Sequence, residues 1–201
     1  MHSNADTFVK WEETSEPLLS PFECEDMRSF IDIAFAKQTY GFDEQEDDQD
    51  DQGDGIYKRF KMSDVPLSDK IHAKLNHIIG DSEKKEKRRT SILPKEFRVN
   101  HVWFCTKYPS GGDIRPHVDG NTSSEDGTSI LTLLIYLNDD FEGGRTLFLE
   151  DDEEEELNVQ DAVVPKTGHG LLLHQNVMHR AEAVVGTKYI LRTDIMVTRE
   201  K

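Results

Sequence analysis

Cysteine is scarce in this sequence: Cys24 and Cys105 are the only two in 201 residues. That excludes a disulfide framework and a four-cysteine zinc site, and it makes a reducing compartment, cytoplasmic or nuclear, the expected setting. Positive charge is short as well, with 24 basic residues against 40 acidic ones and a net charge of −16. Neutralising phosphates takes a basic surface, so nucleic acid is not an expected partner. No apolar run approaches the roughly 18–20 residues of a membrane span, so no membrane association is expected. The stretch Met1–Glu16 also lacks the basic start and apolar middle of a secretion signal. Hydrophobic residues make up 35% of the chain. At this length that suffices for one globular core and is short for two, and a monomer is expected.

The acidity is concentrated. Asp43–Asp54 carries eight acidic residues and Glu150–Glu156 seven, so these two runs account for all but one unit of the net charge. Runs of like charge repel themselves and bury nothing, which predicts solvated loops, with steering of a basic partner as the functional alternative. The basic run Lys84–Arg89 reads as a solvated loop too.

Ser20-Pro21-Phe22-Glu23 has the form of a helix start, with a serine cap, proline in the first turn and a glutamate reaching back. Phe22, Met27, Phe30, Ile31, Ala34 and Phe35 then form an apolar stripe to about Gln38. A second helix is predicted from near Ser68, with Leu67, Ile71, Leu75 and Ile78 on its face and Gly80 ending it. Beyond residue 95 the period shifts to two. FRVNHVWFCTKY, DIRPHVD, SILTLLIYLN, RTLFL, AVVP, GLLLHQ and KYILRTDIMV are short, β-rich and divided by turn signals. Two helices followed by at least seven strands predict a mostly β fold, a double-stranded β-helix (jelly-roll) barrel supported by N-terminal helices. The chain reads as one domain. Residues 1–96 are its helical support with an acidic insertion, and 97–201 its barrel core.

Chemistry concentrates in the barrel half. His117 and Asp119 stand at i and i+2, on one face of a strand. A lone pair of this kind is as readily a hydrogen-bonded surface pair. With His179 on a later strand it becomes two histidines and a carboxylate, the facial triad of non-haem Fe(II) oxygenases. On KYILRTDIMV, Lys188 and Arg192 are four apart on one face, and a cation buried without an anion is costly. A dicarboxylate such as 2-oxoglutarate supplies the anion, with its 2-oxo acid end on iron and Tyr136 in reach of its far carboxylate. The alternative is an internal ion pair between Arg192 and Asp194. His174 rivals His179 as the last ligand, though a supporting role is expected for it. Cys105, between aromatic neighbours, is expected in the core.

At this point a family resemblance enters. From about Phe97 to Val197 the chain resembles the prolyl-4-hydroxylase-type Fe(II)/2-oxoglutarate dioxygenases. It carries Tyr108-Pro-Ser-Gly-Gly, Arg115-Pro-His117-Val-Asp119, Leu134-Ile-Tyr136-Leu-Asn138, Phe141-Glu-Gly-Gly144 and Gly186-Thr-Lys188-Tyr-Ile-Leu-Arg192-Thr-Asp194 in that family's order. Leu19–Ile31 resembles its supporting helix. The resemblance implies His117, Asp119 and His179 as iron ligands and Lys188 at the cosubstrate's C5 carboxylate. Tyr136 then contacts the cosubstrate and Tyr108 lies near its mouth. His179 and Lys188 are nine residues apart, as in the oxygen-sensing branch, and whether Lys188 or Arg192 is the main anchor stays open. The implied cofactors are Fe(II), 2-oxoglutarate and O2, with ascorbate as a further small molecule. The implied reaction is hydroxylation of a C–H bond, foremost a peptidyl proline, with succinate and CO2 as co-products. A protein or peptide is the expected substrate and a small molecule the alternative. A halogenase is not expected, because Asp119 holds the halide's place. The competing readings are a non-catalytic metal-binding module and a metal-dependent hydrolase or isomerase. The substrate loops are expected at Gly41–Phe60 and Gly120–Ser129.

Overall fold

The structure is a computed structural model, and it describes residues 9–40, 42–45, 55–85, 92–124, 127–151 and 157–197. Its first half contributes β1 (Trp11–Glu13), α1 (Pro21–Lys37), β2 (Phe42–Gln45), β3 (Tyr57–Ser63) and α2 (Val65–Lys85). Then come β4 (Arg98–Val99), β5 (Val102–Tyr108), β6 (Ile114–His117), β7 (Ser123–Ser124), β8 (Gly127–Tyr136) and β9 (Glu142–Gly143). The last strands are β10 (Thr146–Asp151), β11 (Leu157–Val163), β12 (Gly170–His174), β13 (His179–Ala181), β14 (Val184–Val185) and β15 (Lys188–Val197).

The major sheet runs β1-β12-β8-β15-β5-β3-β2, with β4 added on β15 and β7 on β8. The minor sheet runs β11-β10-β13-β6, and β14 pairs with β9. The pairs are antiparallel, the pattern of a mostly β double-stranded β-helix with helices at one side. Side-chain alternation divides the core in two. Cys24, Ile31, Ile71, Leu75, Trp103, Cys105, Leu133 and Leu191 pack helices on the outer face of the major sheet. Tyr108, Leu134, Tyr136, Phe148, Leu171 and Ile190 fill the space toward the minor sheet.

Ser20 caps α1 as the sequence implies: its Oγ accepts from the Glu23 amide at 3.3 Å while the Glu23 carboxylate accepts from the Ser20 amide. The buried face differs from the predicted stripe. Cys24, Ile31 and Ala34 are buried, whereas Phe22 is 70% exposed. The second helix starts earlier, because the Asp64 carboxylate accepts from the Leu67 amide at 2.9 Å. It also runs through Gly80 to Lys85, so that glycine does not end it. Helix hydrogen bonding continues across a glycine at modest cost.

The acidic runs begin inside regular structure. Phe42–Gln45 pairs with β3, and Glu150 and Asp151 pair with Asn158 and Leu157. Residues 46–54 and 152–156 lie outside those described, as do 86–89 of the basic run, whose Lys84 and Lys85 close α2. Both expected substrate loops contain strand, β3 in the first and the β7–β8 hairpin in the second.

Candidate metal centre and cosubstrate cavity

Register brings the two histidines together. β13 pairs with β6 so that His179 faces His117, and the rings lie 4.3 Å apart between centroids. Each Nδ1 lies against a carbonyl, His117 on Arg115 at 2.8 Å and His179 on Val177 at 2.9 Å. A carbonyl only accepts, so each Nδ1 carries the proton and each Nε2 presents a lone pair. Asp119 follows two residues after His117. Its Oδ1 lies 3.9 Å from His117 Nε2 and its Oδ2 3.9 Å from His179 Nε2. The three donor atoms lie within 4.8 Å of one another, the only such group of metal-binding side chains among the described residues. Burial, with His117 beside it, lowers the His179 pKa and favours the neutral ligand form.

The carboxylate is held from two sides. Thr132 Oγ1 donates to Asp119 Oδ2 at 2.5 Å, and Arg192 Nη2 to Oδ1 at 2.8 Å. Arg192 sits 3.8 Å from Asp194, so the expected internal pair is secondary to the contact with Asp119. Thr132 lies on the cavity face of β8 with Tyr136, a period-two relation readable in sequence, but its partner is not. Gln175 Nε2 donates to Asp194 at 3.2 Å and accepts from Ser129 through Oε1.

Lys188 occupies the same cavity. It is 2% exposed, and its Nζ donates to the Gly144 carbonyl at 2.5 Å. The ammonium lies 5.2 Å from the Tyr108 ring centroid and 5.6 Å from that of Tyr136. Burial pushes the Lys188 pKa down to about 7, partly opposed by Glu182. Gly144 has φ +66°, and a Cβ there would lie 2.7 Å from the Phe141 ring, so the carbonyl under Lys188 is positioned by a turn that favours glycine. Tyr136 Oη lies 2.8 Å from Thr146 Oγ1, and burial raises both Tyr108 and Tyr136, keeping the phenols protonated. Thr146 and the Gly144 carbonyl were not singled out from sequence.

Tyr108, His117, Asp119, Tyr136, His179, Lys188 and Arg192 all line this one cavity. His174 does not, and Cys105 is fully buried in the outer core. Among the described residues, Arg59, Arg180, Lys188 and Arg192 line it together with the Asp119 carboxylate, a cationic lining in a chain of net charge −16. Two imidazoles and a carboxylate fit a divalent transition metal, and the cationic wall fits an anionic cosubstrate.

Residues 103–193 match the 2OG-Fe(II) oxygenase superfamily. The chain carries a 2OG-Fe(II) oxygenase domain. The enzyme is a 2-oxoglutarate-dependent dioxygenase, and Fe(II), 2-oxoglutarate and O2 are the family's reactants. No curated protein matches the oxygenase by sequence. Among solved structures it resembles a Pseudomonas putida prolyl-4-hydroxylase, at TM-score 0.61 and 13% identity over 95% of this chain and 94% of that one. The viral collagen prolyl hydroxylase of Paramecium Bursaria Chlorella virus-1 gives 0.56 and 17%, over 95% and 97%. A Trichoplax adhaerens prolyl hydroxylase in complex with a hypoxia inducible factor peptide fragment gives 0.57 and 14%, over 93% and 83%. At such identities the likeness is one of fold. No described helix is long and apolar enough to cross a membrane.

Proposed function

We propose that the enzyme hydroxylates a peptidyl proline, with His117, Asp119 and His179 holding Fe(II) and Lys188 holding the C5 carboxylate of 2-oxoglutarate. The observation that carries this reading is the convergence of two imidazole Nε2 atoms and a carboxylate in a cavity that also buries Lys188. Iron bound there supplies dioxygen activation coupled to oxidative decarboxylation of 2-oxoglutarate, with succinate and CO2 as co-products.

The protein's part is positional and electrostatic. Arg115 and Val177 carbonyls fix the imidazole tautomers, and Thr132 and Arg192 fix the Asp119 carboxylate. Lys188 meets a carboxylate in a site from which Tyr108 and Tyr136 exclude water, and the protonated Tyr136 hydroxyl is a second donor to it. Arg192 is already engaged by Asp119, which favours Lys188 as the main anchor. The resemblance to prolyl hydroxylases, one of them bound to a peptide, supports a peptide substrate. Ascorbate enters as an external reductant that keeps iron ferrous.

The test is succinate release from 2-oxoglutarate with Fe(II) under air, with and without proline-containing peptides, and mass spectrometry of the peptides. Iron-dependent succinate release and a 16 Da gain on proline are expected. Absence of 2-oxoglutarate binding and of turnover would refute the assignment, and a gain on another residue would refute proline.

A further inference from the structure

One segment of the chain, residues 138–144, holds Lys188 at both ends. At the tip, the Gly144 carbonyl accepts from Lys188 Nζ at 2.5 Å. At the backbone the holder is Asn138, which does not line the cavity and has no part in the metal centre. β8 ends at Tyr136, opposite Ile190 in register, and the Leu137 amide then donates to the Tyr189 carbonyl at 2.9 Å. The next contacts come from a side chain. Asn138 Oδ1 accepts from the Tyr189 amide at 2.8 Å, and Asn138 Nδ2 donates to the Thr187 carbonyl at 2.7 Å. Nδ2 also donates to the Asp140 carboxylate at 2.7 Å.

The partners fix the orientation of the amide. A peptide N–H only donates, and a carbonyl or carboxylate only accepts, so oxygen faces Tyr189 and nitrogen faces Thr187. The two bonds fall on either side of Lys188, along the strand edge that β8 has left. The other edge is paired by β5, where Tyr108 stands opposite Lys188. Asn138, Lys188 and Tyr189 are buried. Without the asparagine side chain, the Tyr189 N–H and the Thr187 carbonyl lose these partners, and leaving buried peptide groups unpaired is costly. The strand there shifts or admits water to satisfy them. A lysine's flexible four-carbon stem does not set its own direction, so the place of the ammonium beside Tyr108 and Tyr136 depends on where the stem starts.

Resting on the reading of Lys188 as the C5 carboxylate anchor, we propose that Asn138 is the positioning residue of that lysine. It fixes the backbone on both sides of Lys188, so that Nζ meets 2-oxoglutarate already in place. Its effect on the cosubstrate passes through Lys188.

The test is a double-mutant cycle on the full chain, loaded with Fe(II) under nitrogen and titrated with 2-oxoglutarate. Asn138→Ala is expected to weaken 2-oxoglutarate binding roughly tenfold, a misplacement of about 1 Å being enough to cost about 100-fold. Asn138→Ser keeps a short donor and acceptor, should lose less, and serves where the alanine variant does not fold. In a Lys188→Met background the same changes should cost less than about twofold, because the group they position is gone. Fe(II) affinity should stay at the wild-type value. Ser68→Ala is the structural control. It removes the acceptor of the Trp103 indole on the far side of the major sheet, and should lower stability in urea with 2-oxoglutarate affinity unchanged. Unchanged 2-oxoglutarate affinity in the Asn138 variants, an equal loss in the Lys188→Met background, or a parallel loss of Fe(II) affinity would each overturn the positioning role. When Lys188→Met alone weakens binding, those outcomes leave the anchor standing. Wild-type affinity in Lys188→Met would overturn the anchor, and the positioning role with it.

Discussion

A lysine enclosed by two tyrosine rings holds its proton weakly. Burial brings Lys188 down to about 7. The groups around it are Tyr108 and Tyr136, kept neutral by burial, and Glu182, whose bond to Arg145 keeps it ionised. A carboxylate placed against Nζ restores the charged form, so above about pH 7 cosubstrate binding takes up a proton. The affinity for 2-oxoglutarate should be flat below that pH. Above it, the affinity should fall by up to about tenfold per unit. Lys188→Met should give a flat profile and lose about 3–5 kcal/mol, two decades or more of affinity. Calorimetry in two buffers of different ionisation enthalpy reads the proton directly, and a wild-type profile without pH dependence would contradict the anchor. Thr132 donates to Asp119, one of the proposed iron ligands. Thr132→Val keeps the shape, removes that donor, and should weaken Fe(II) binding about 10–100-fold in a metal titration.

Among the elements, one hydroxyl adds a polar link to the apolar contact of α2 with β5. Ser68 Oγ accepts from the Trp103 indole at 2.9 Å and lies 2.9 Å from the carbonyls of Asp64 and Asn100. Trp103 is fully buried, so Ser68→Ala strands its N–H away from water. The cost should be about 1–3 kcal/mol in urea unfolding, with no change in iron affinity, since the pair is on the outer side of the sheet. The α1 stripe shows where pattern reading stops. Periodicity places Phe22 and Phe30 among the apolar residues, but which arc of a helix is buried depends on the surface it meets. Here Cys24, Ile31 and Ala34 meet the sheet, while Phe30 sits at the edge against Tyr40 and Phe60.

For the whole molecule, β3 is interior to the major sheet between β5 and β2, and β1 covers the opposite end against β12. The first 96 residues thus contribute strands as well as helices. Without them β5 loses β3, one of its two partners, and Trp103, Cys105, Leu133 and Leu191 lose the helices that cover them. A fragment of residues 97–201 is therefore expected to show no cooperative unfolding transition by circular dichroism. A cooperative transition would show that the barrel half folds alone and would contradict the reading as one domain.

Sequence by itself determined the local relations. The Ser20–Glu23 cap, the single face shared by Lys188 and Arg192, and the proximity of His117 to Asp119 all follow from helix and strand periods within a few residues. The grouping of late strands into a barrel was legible because alternation and turn signals recur there. Partnerships across long separations were decided by the tertiary structure. His179 joins His117 only because β13 pairs with β6, and Arg192 chooses Asp119 over its own neighbour Asp194. The strand register of β3 likewise brings Arg59 and Lys61 to Phe104, though the intervening chain includes a whole helix. Periodicity specifies which side a residue faces, whereas what stands opposite is set by sheet register, which depends on many side chains packing at once.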